Sequence, residues 1–297
     1  MKPAKKLLLI STRIFWPPMG GHEVEVYNYC RGLHEEYHYD IDVYAFDDAN
    51  KLEGVSTPDF LNRIYFALPI SKSQKIFNVV SKSLYKSYYW PLQCSLYYSK
   101  ENEQRIRKLI RHENYDVIFV DMIRLAPYYS CFSDLDCKKI LDIDDTLSKR
   151  YSRQLNSLDK KTNIAGQYND RLPQIIKKCL QSDFVKKTVL KLEIPRMQRA
   201  EEKYGEIYDY VVFVSDLETK EFNEKYSTDK AITISMGVDY QYFSEDLNVS
   251  KKIGTATFVG NMKTAANADS VRLIVNKVLP NSSRLKKIGR ASCRERV

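Results

Sequence analysis

Short apolar runs recur along the chain, each followed by polar text with helical spacing, and this alternation is its strongest regularity. Residues 5–12 (KKLLLIST) form a charge-led apolar run, as expected of a strand buried on both faces of a parallel sheet. Residues 13–21 (RIFWPPMGG) read as a loop, after which Val24, Tyr27 and Cys30 or Arg31 fall at helical spacing as far as Leu33. Strands are expected at 41–46 and, shorter, at 64–68. The stretch 71–112 is expected to be helical, with Ile76, Val79, Val80 and Leu84 on one face and Lys72, Lys75, Lys82 and Lys86 interleaved. Residues 115–121 (YDVIFVD) and 138–142 (KKILD) are further buried strands. A basic, helix-rich region follows over 147–204, with breaks expected at Pro173 and Pro195. Strands at 210–215 and 231–235 flank a helix at 216–226, and a strand at 255–260 leads into a helix at 267–278.

Such alternation predicts an α/β protein with a right-handed, doubly wound parallel sheet. At about 100–200 residues per domain, 297 residues suit two domains, or one and part of another. Residues 1–236 are expected to form the first domain, 237–254 a connection, and 255–287 the start of a second, whose single strand and helix bury too little to stand alone.

Composition narrows the classes. With 43% hydrophobic and 29% charged residues and a mean hydropathy of -0.46, the chain is neither disordered nor membrane-spanning. No apolar run reaches the roughly 18–20 residues of a spanning helix. The N-terminus lacks a secretory leader, so a cytoplasmic location is expected. Six scattered cysteines show no metal-ligand spacing and read as reduced, mostly buried thiols. A formal charge of +9 favours an anionic partner, and no recognition motif accompanies it that would point to nucleic acid. The last ten residues (IGRASCRERV, 288–297) have no hydrophobic periodicity and match the translation of a common sequencing adapter, so they are expected to be non-native.

Two segments carry candidate chemistry. Gly20, Gly21 and His22 stand between a strand and a helix, where glycine lets backbone approach a phosphate and the helix start offers unpaired N–H groups. A tight turn without ligand, with His22 as a surface residue or cap, accounts for them equally. Asp142, Asp144 and Asp145 crowd the end of an expected strand, where doubly wound sheets place ligands, with Lys149, Arg150 and Arg153 close by to offset their repulsion. They read as a helix cap, as a polar lip for a hydroxyl-rich substrate, or as a Mg²⁺ site with Asp142 as phosphoryl-accepting nucleophile, since DIDDTL resembles the first motif of haloacid-dehalogenase-type phosphatases.

The ordered set KLLLISTRIFWPPMGGHEVEVYNYCRGL, YDVIFVDMIRLAPYY, LDIDDTLSKRY, EIPRMQRAEEKYGEIYDYVVFVSDLETKEF, ITISMGVDYQYF and TATFVGNMKTAANADSVRLIVNKVLP resembles family 4 type glycosyltransferases of the GT-B fold. The resemblance implies two Rossmann-like domains facing a cleft, a nucleotide-sugar donor and a glycan or lipid-linked acceptor in surface polysaccharide or glycolipid assembly. Gly20, Gly21, Gly260 and Lys263 would then bind the donor, and His22, Arg124, Asp144, Asp145 and Arg150 the acceptor. No metal or other cofactor is implied, because backbone N–H groups and basic side chains can stabilise a departing diphosphate. Many relatives carry a His after the strand at 115–121, where this chain has Asp121, Met122, Ile123 and Arg124. The paired-glutamate motif of such enzymes is expected beyond Lys287, so the catalytic residues are not assigned and this chain is expected to be inactive by itself.

Residues 71–100 interleave Lys72, Lys75, Lys82 and Lys86 with Phe77, Tyr85, Tyr88, Tyr89 and Trp90. That composition suits an anionic membrane surface such as the inner face of the cytoplasmic membrane. It also suits, and rather better, an amphipathic helix packed on its own sheet with a solvated lysine face. A non-catalytic glycan- or membrane-binding domain is the corresponding alternative function.

Overall fold

A computed structural model describes residues 5–85, 90–156, 182–237, 240, 244, 253–260, 265–284 and 287–291. The chain divides into two compact units, Met1–Arg153 with Val189–Gly237, and Gln154–Thr188 with Val238–Val297.

The first unit is built on a seven-stranded parallel sheet. Its strands are β1 (Lys5–Ser11), β2 (Tyr39–Ala45), β3 (Leu61–Phe66), β4 (Val117–Asp121), β5 (Lys138–Asp144), β6 (Tyr210–Phe213) and β7 (Ala231–Thr233). They lie side by side in the order β3-β2-β1-β4-β5-β6-β7, which is the doubly wound order expected from the alternation. Leu8, Ile10, Ile118, Val120 and Leu141 are sealed in the central strands, the burial on both faces that their continuous apolar runs encode. The connecting helices are α1 (Gly21–Tyr37), α2 (Lys72–Asn78), α3 (Leu92–Tyr97), α4 (Lys100–Glu113), α5 (Leu147–Asn156), α6 (Asp183–Ile207) and α7 (Asp216–Tyr226). The cysteines at 30, 94, 131 and 137 are unbridged, and the first three are buried.

The stretch 71–112 is helical over most of its length, in pieces: α2 runs on as a π-helical turn over Val79–Tyr85, and Ser99 then caps α4 by accepting from Asn102 N. Two expectations for this unit need correction. Of the apolar face at 76–84, only Val79 is partly covered. Asn78 and Ser83 are the buried side chains, bonded to the Ser95 and Tyr98 carbonyls and to Ser95 Oγ, whereas Ile76, Phe77, Val80 and Leu84 are 53%, 67%, 49% and 53% exposed. Helical spacing groups residues on a face without saying which face is buried, and here the polar face found partners. Pro195, expected to break a helix, lies inside α6, whose buried Leu190, Met197, Ala200 and Tyr204 anchor it around the missing N–H. Pro173 lies outside the described residues. A 3-10 helix over Ile123–Cys131, almost wholly buried, was not foreseen.

In the second unit β8 (Thr255–Val259) pairs parallel with β9 (Lys287–Ala291), and α8 (Ala265–Leu273) continues as a π-helical turn over Ile274–Val278. The pairing takes in residues 288–291 of the stretch set apart in the sequence. No helix among the described residues is long and apolar enough to cross a membrane.

Candidate functional site

In a sheet ordered in this way, the chain leaves β1 toward one side and β4 toward the other, and a crevice opens between their carboxyl ends. Asp121 is the last residue of β4, and the loop after β1 delivers His22 in the first turn of α1. Although 99 residues apart, they meet: His22 Nε2 lies 2.7 Å from Asp121 Oδ1. The other oxygen of Asp121 accepts from Ser11 Oγ at 3.0 Å, Thr12 N at 2.9 Å and Thr12 Oγ1 at 3.0 Å, so a fully buried carboxylate is saturated.

More acid surrounds this pair. Glu25, one helical turn after His22, is buried and faces it, with His22 Nδ1 and Glu25 Oε2 3.7 Å apart. Asp142 is fully buried in β5. Asp144 ends β5 at a register shift, with a left-handed φ of 66° uncommon outside glycine, and its N–H donates to Asp142 Oδ1 at 2.9 Å. The bulge turns the strand end away from its regular register at the place where Asp144 joins the cluster.

The electrostatics follow from this crowding. Burial pulls the His22 pKa down, but the charge and hydrogen bond of Asp121, with Glu25 and Asp142 behind them, outweigh it and raise it to about 11. Burial alone would raise Asp121, yet His22 and the Thr12 N–H hold it well below the carboxylate range. Asp142 goes the other way: burial, then the Asp121 and Glu25 charges, push its pKa well above the usual carboxylate range. Asp144 is lifted to about 6, chiefly by burial, with Asp145 and Glu25 adding to it against the opposing His22. The cluster therefore presents one imidazolium among carboxylates, suited to orienting hydroxyl groups.

The phosphatase alternative is not favoured. A nucleophilic carboxylate must be reachable, and Asp142 is fully buried.

The remaining expected residues are placed as follows. Gly20 is the N-cap of α1 with extended backbone, and a Cβ on Gly20 or Gly21 would meet only ordinary contacts, from Glu23 and from the Met236 methyl. Neither glycine is there for a left-handed turn. Asp145 lies beside Arg150 on α5, with Arg150 Nε donating to Asp145 Oδ2 at 2.6 Å. Arg124 is buried in the 3-10 helix, its guanidinium over the Tyr97 ring at 5.6 Å. Gly260 follows β8 in the second unit, where a Cβ would come within 2.9 Å of the Phe258 ring. Lys263 lies outside the described residues. A shallow hollow lined by Lys138, Asp209, Tyr210, Asp229 and Lys230 sits at the amino ends of β5 and β6, away from this chemistry.

Sequence reasoning missed Asp121 and Glu25 as members of the site. The one signal for Asp121 was its place at the end of a buried strand, and for Glu25 its i+3 spacing from His22.

No protein-family model and no curated protein matches the sequence. Among solved structures, sucrose-phosphate synthase from Thermosynechococcus elongatus superposes with a TM-score of 0.53 at 12% identity, over 97% of this chain and 71% of that one. TarM superposes with a TM-score of 0.54 at 9% identity, over 98% and 72%. The fold is that of the GT-B glycosyltransferases.

Proposed function

We propose that the chain belongs to a glycosyltransferase that moves a sugar from a nucleotide-sugar donor to a glycan or lipid-linked acceptor in surface polysaccharide or glycolipid assembly. The observation that carries this reading is the acid cluster around His22 and Asp121 at the switch crevice of a GT-B sheet. Asp144 holds acceptor hydroxyls there, with His22, Asp145, Arg150 and the buried Arg124 shaping the surrounding wall. Gly20 carries no side chain to cap α1, so its first N–H groups remain available to a donor diphosphate beside Gly21. Gly260 and Lys263 contribute from the second domain. The departing diphosphate is stabilised by these N–H groups and by basic side chains, so transfer needs no metal.

The chain spans about seven-tenths of the two enzymes it superposes on. Transfer is accordingly proposed for a gene product with a complete second domain and its paired glutamates, and not for this chain alone.

The exposed Ile76, Phe77, Val80 and Leu84, beside Lys72, Lys75 and Lys82, favour an anionic membrane as the place where a lipid-linked acceptor is met. They speak against a helix packed on its own sheet.

The test is acceptor-dependent transfer by the gene product with its complete second domain from a panel of radiolabelled nucleotide sugars. The expected result is turnover that falls about 100-fold or more in His22→Ala while donor binding persists. Absence of donor binding and of transfer across the panel would overturn the reading.

A further inference from the structure

Two atoms at the start of α1 have no hydrogen-bond partner although both are buried: His22 Nδ1 and Glu25 Oε2. The Glu25 side chain is 0% exposed, and its other oxygen is taken by the Tyr29 hydroxyl at 2.5 Å. Their ion pair is too long for a hydrogen bond, so both buried atoms keep unfilled hydrogen-bonding capacity, which is costly. They face each other across 3.7 Å, and Asp144 completes a trio in which one donor atom from each residue lies within 4.8 Å of the others. Ligands bonded at about 2.0–2.2 Å to one cation stand roughly 3.0–3.5 Å apart, so small side-chain movements close the set.

We propose that His22 Nδ1, Glu25 Oε2 and the Asp144 carboxylate bind one divalent transition-metal ion of the Zn²⁺ or Mn²⁺ class. One imidazole nitrogen with two carboxylate oxygens suits these ions better than Mg²⁺ or Ca²⁺, which take oxygen. Asp121 supplies the outer support. Its hydrogen bond to Nε2 fixes the ring, and the metal displaces the Nδ1 proton of the free imidazolium to solvent and takes the lone pair so exposed, the arrangement by which carboxylates orient metal-bound histidines. The His-x-x-Glu spacing puts two ligands on one face of α1, and the bulge at Asp144 brings the third from β5. Asp144 is only partly buried, which leaves the ion a way in. The metal ties the start of α1 to the end of β5. It is a structural ion of the site and takes no part in the leaving-group chemistry. The assignment does not rest on the transferase reading, and a chain that binds metal but no sugar leaves it standing.

The experiment is titration of the chelator-treated chain with Zn²⁺, Mn²⁺, Mg²⁺ and Ca²⁺ by calorimetry, with thermal melting alongside. Saturable binding of Zn²⁺ or Mn²⁺ at one ion per chain is expected, with a rise in melting temperature. Affinity should fall at least about tenfold in Glu25→Gln and in Asp144→Asn, and stay unchanged in Asp145→Asn. Circular dichroism checks the buried Glu25→Gln. If it does not fold, the partly exposed Asp144→Asn decides, together with nitrogen hyperfine coupling from a labelled histidine in the Mn²⁺ resonance of the wild type. No saturable binding, binding indifferent to Asp144→Asn, or binding lost only in Asp142→Asn would each overturn the assignment.

Discussion

At the scale of single residues, Asp121 holds more of the site than any other side chain. Four donors converge on its carboxylate, three of them from the residues that end β1 and begin the loop. Asp121→Asn replaces an acceptor oxygen by a donor and leaves His22 without its counter-charge. Breaking a buried charge pair in this way costs about 3–5 kcal/mol, measurable by urea denaturation at neutral pH. The pH dependence follows from His22. Its pKa is raised in the fold from 6.5 to about 11, so its contribution is fully present below pH 6.5 and is lost as pH rises through about 11. Asp144 adds to the same trend at lower pH. Raised from 3.8 to about 6, it resists ionising, so stability falls as pH climbs through that window. Denaturation of the metal-free chain should lose stability steadily above neutral pH. His22→Gln should flatten that slope, and an unchanged slope would show that another group is responsible.

At the scale of elements, packing reverses what propensity suggests. Gly205 lies inside α6, where replacement by alanine normally adds up to about 1 kcal/mol of helix stability. Here a Cβ would come within 2.5 Å of the Phe222 ring, itself buried on α7. Gly205→Ala should therefore destabilise by about 1–3 kcal/mol through overpacking, read as a lower melting temperature. The segment from α2 into its π-helical turn behaves in the opposite sense. Replacing Ile76, Phe77, Val80 and Leu84 by serine removes exposed side chains and should leave stability within about 0.5 kcal/mol per site. The same variant should lose sedimentation with anionic vesicles, and retention of that binding would remove the membrane from the proposed function.

At the scale of the whole molecule, the sheet was legible in the sequence and the site only in part. Strands such as KKLLLIS and VIFVD are continuous apolar runs because parallel strands are covered on both faces, and that requirement is written locally. Helix α7 was legible to its ends, since Ser215 caps it by accepting from Glu218 N and Ser227 closes it in the left-handed conformation. The glycines, His22, Asp144 and Asp145 could be singled out because they sit at strand ends, where ligands bind. What the sequence by itself determined is therefore the alternation, the doubly wound class and the end of the sheet where chemistry gathers, all properties of neighbouring residues. Tertiary structure alone decided that His22 meets Asp121, that Glu25 turns inward, that Asp142 is sealed, and that α2 shows much of its apolar side to solvent. Those outcomes depend on which distant segments share a volume, and burial, charge and hydrogen bonding acquire their values only once that volume is closed.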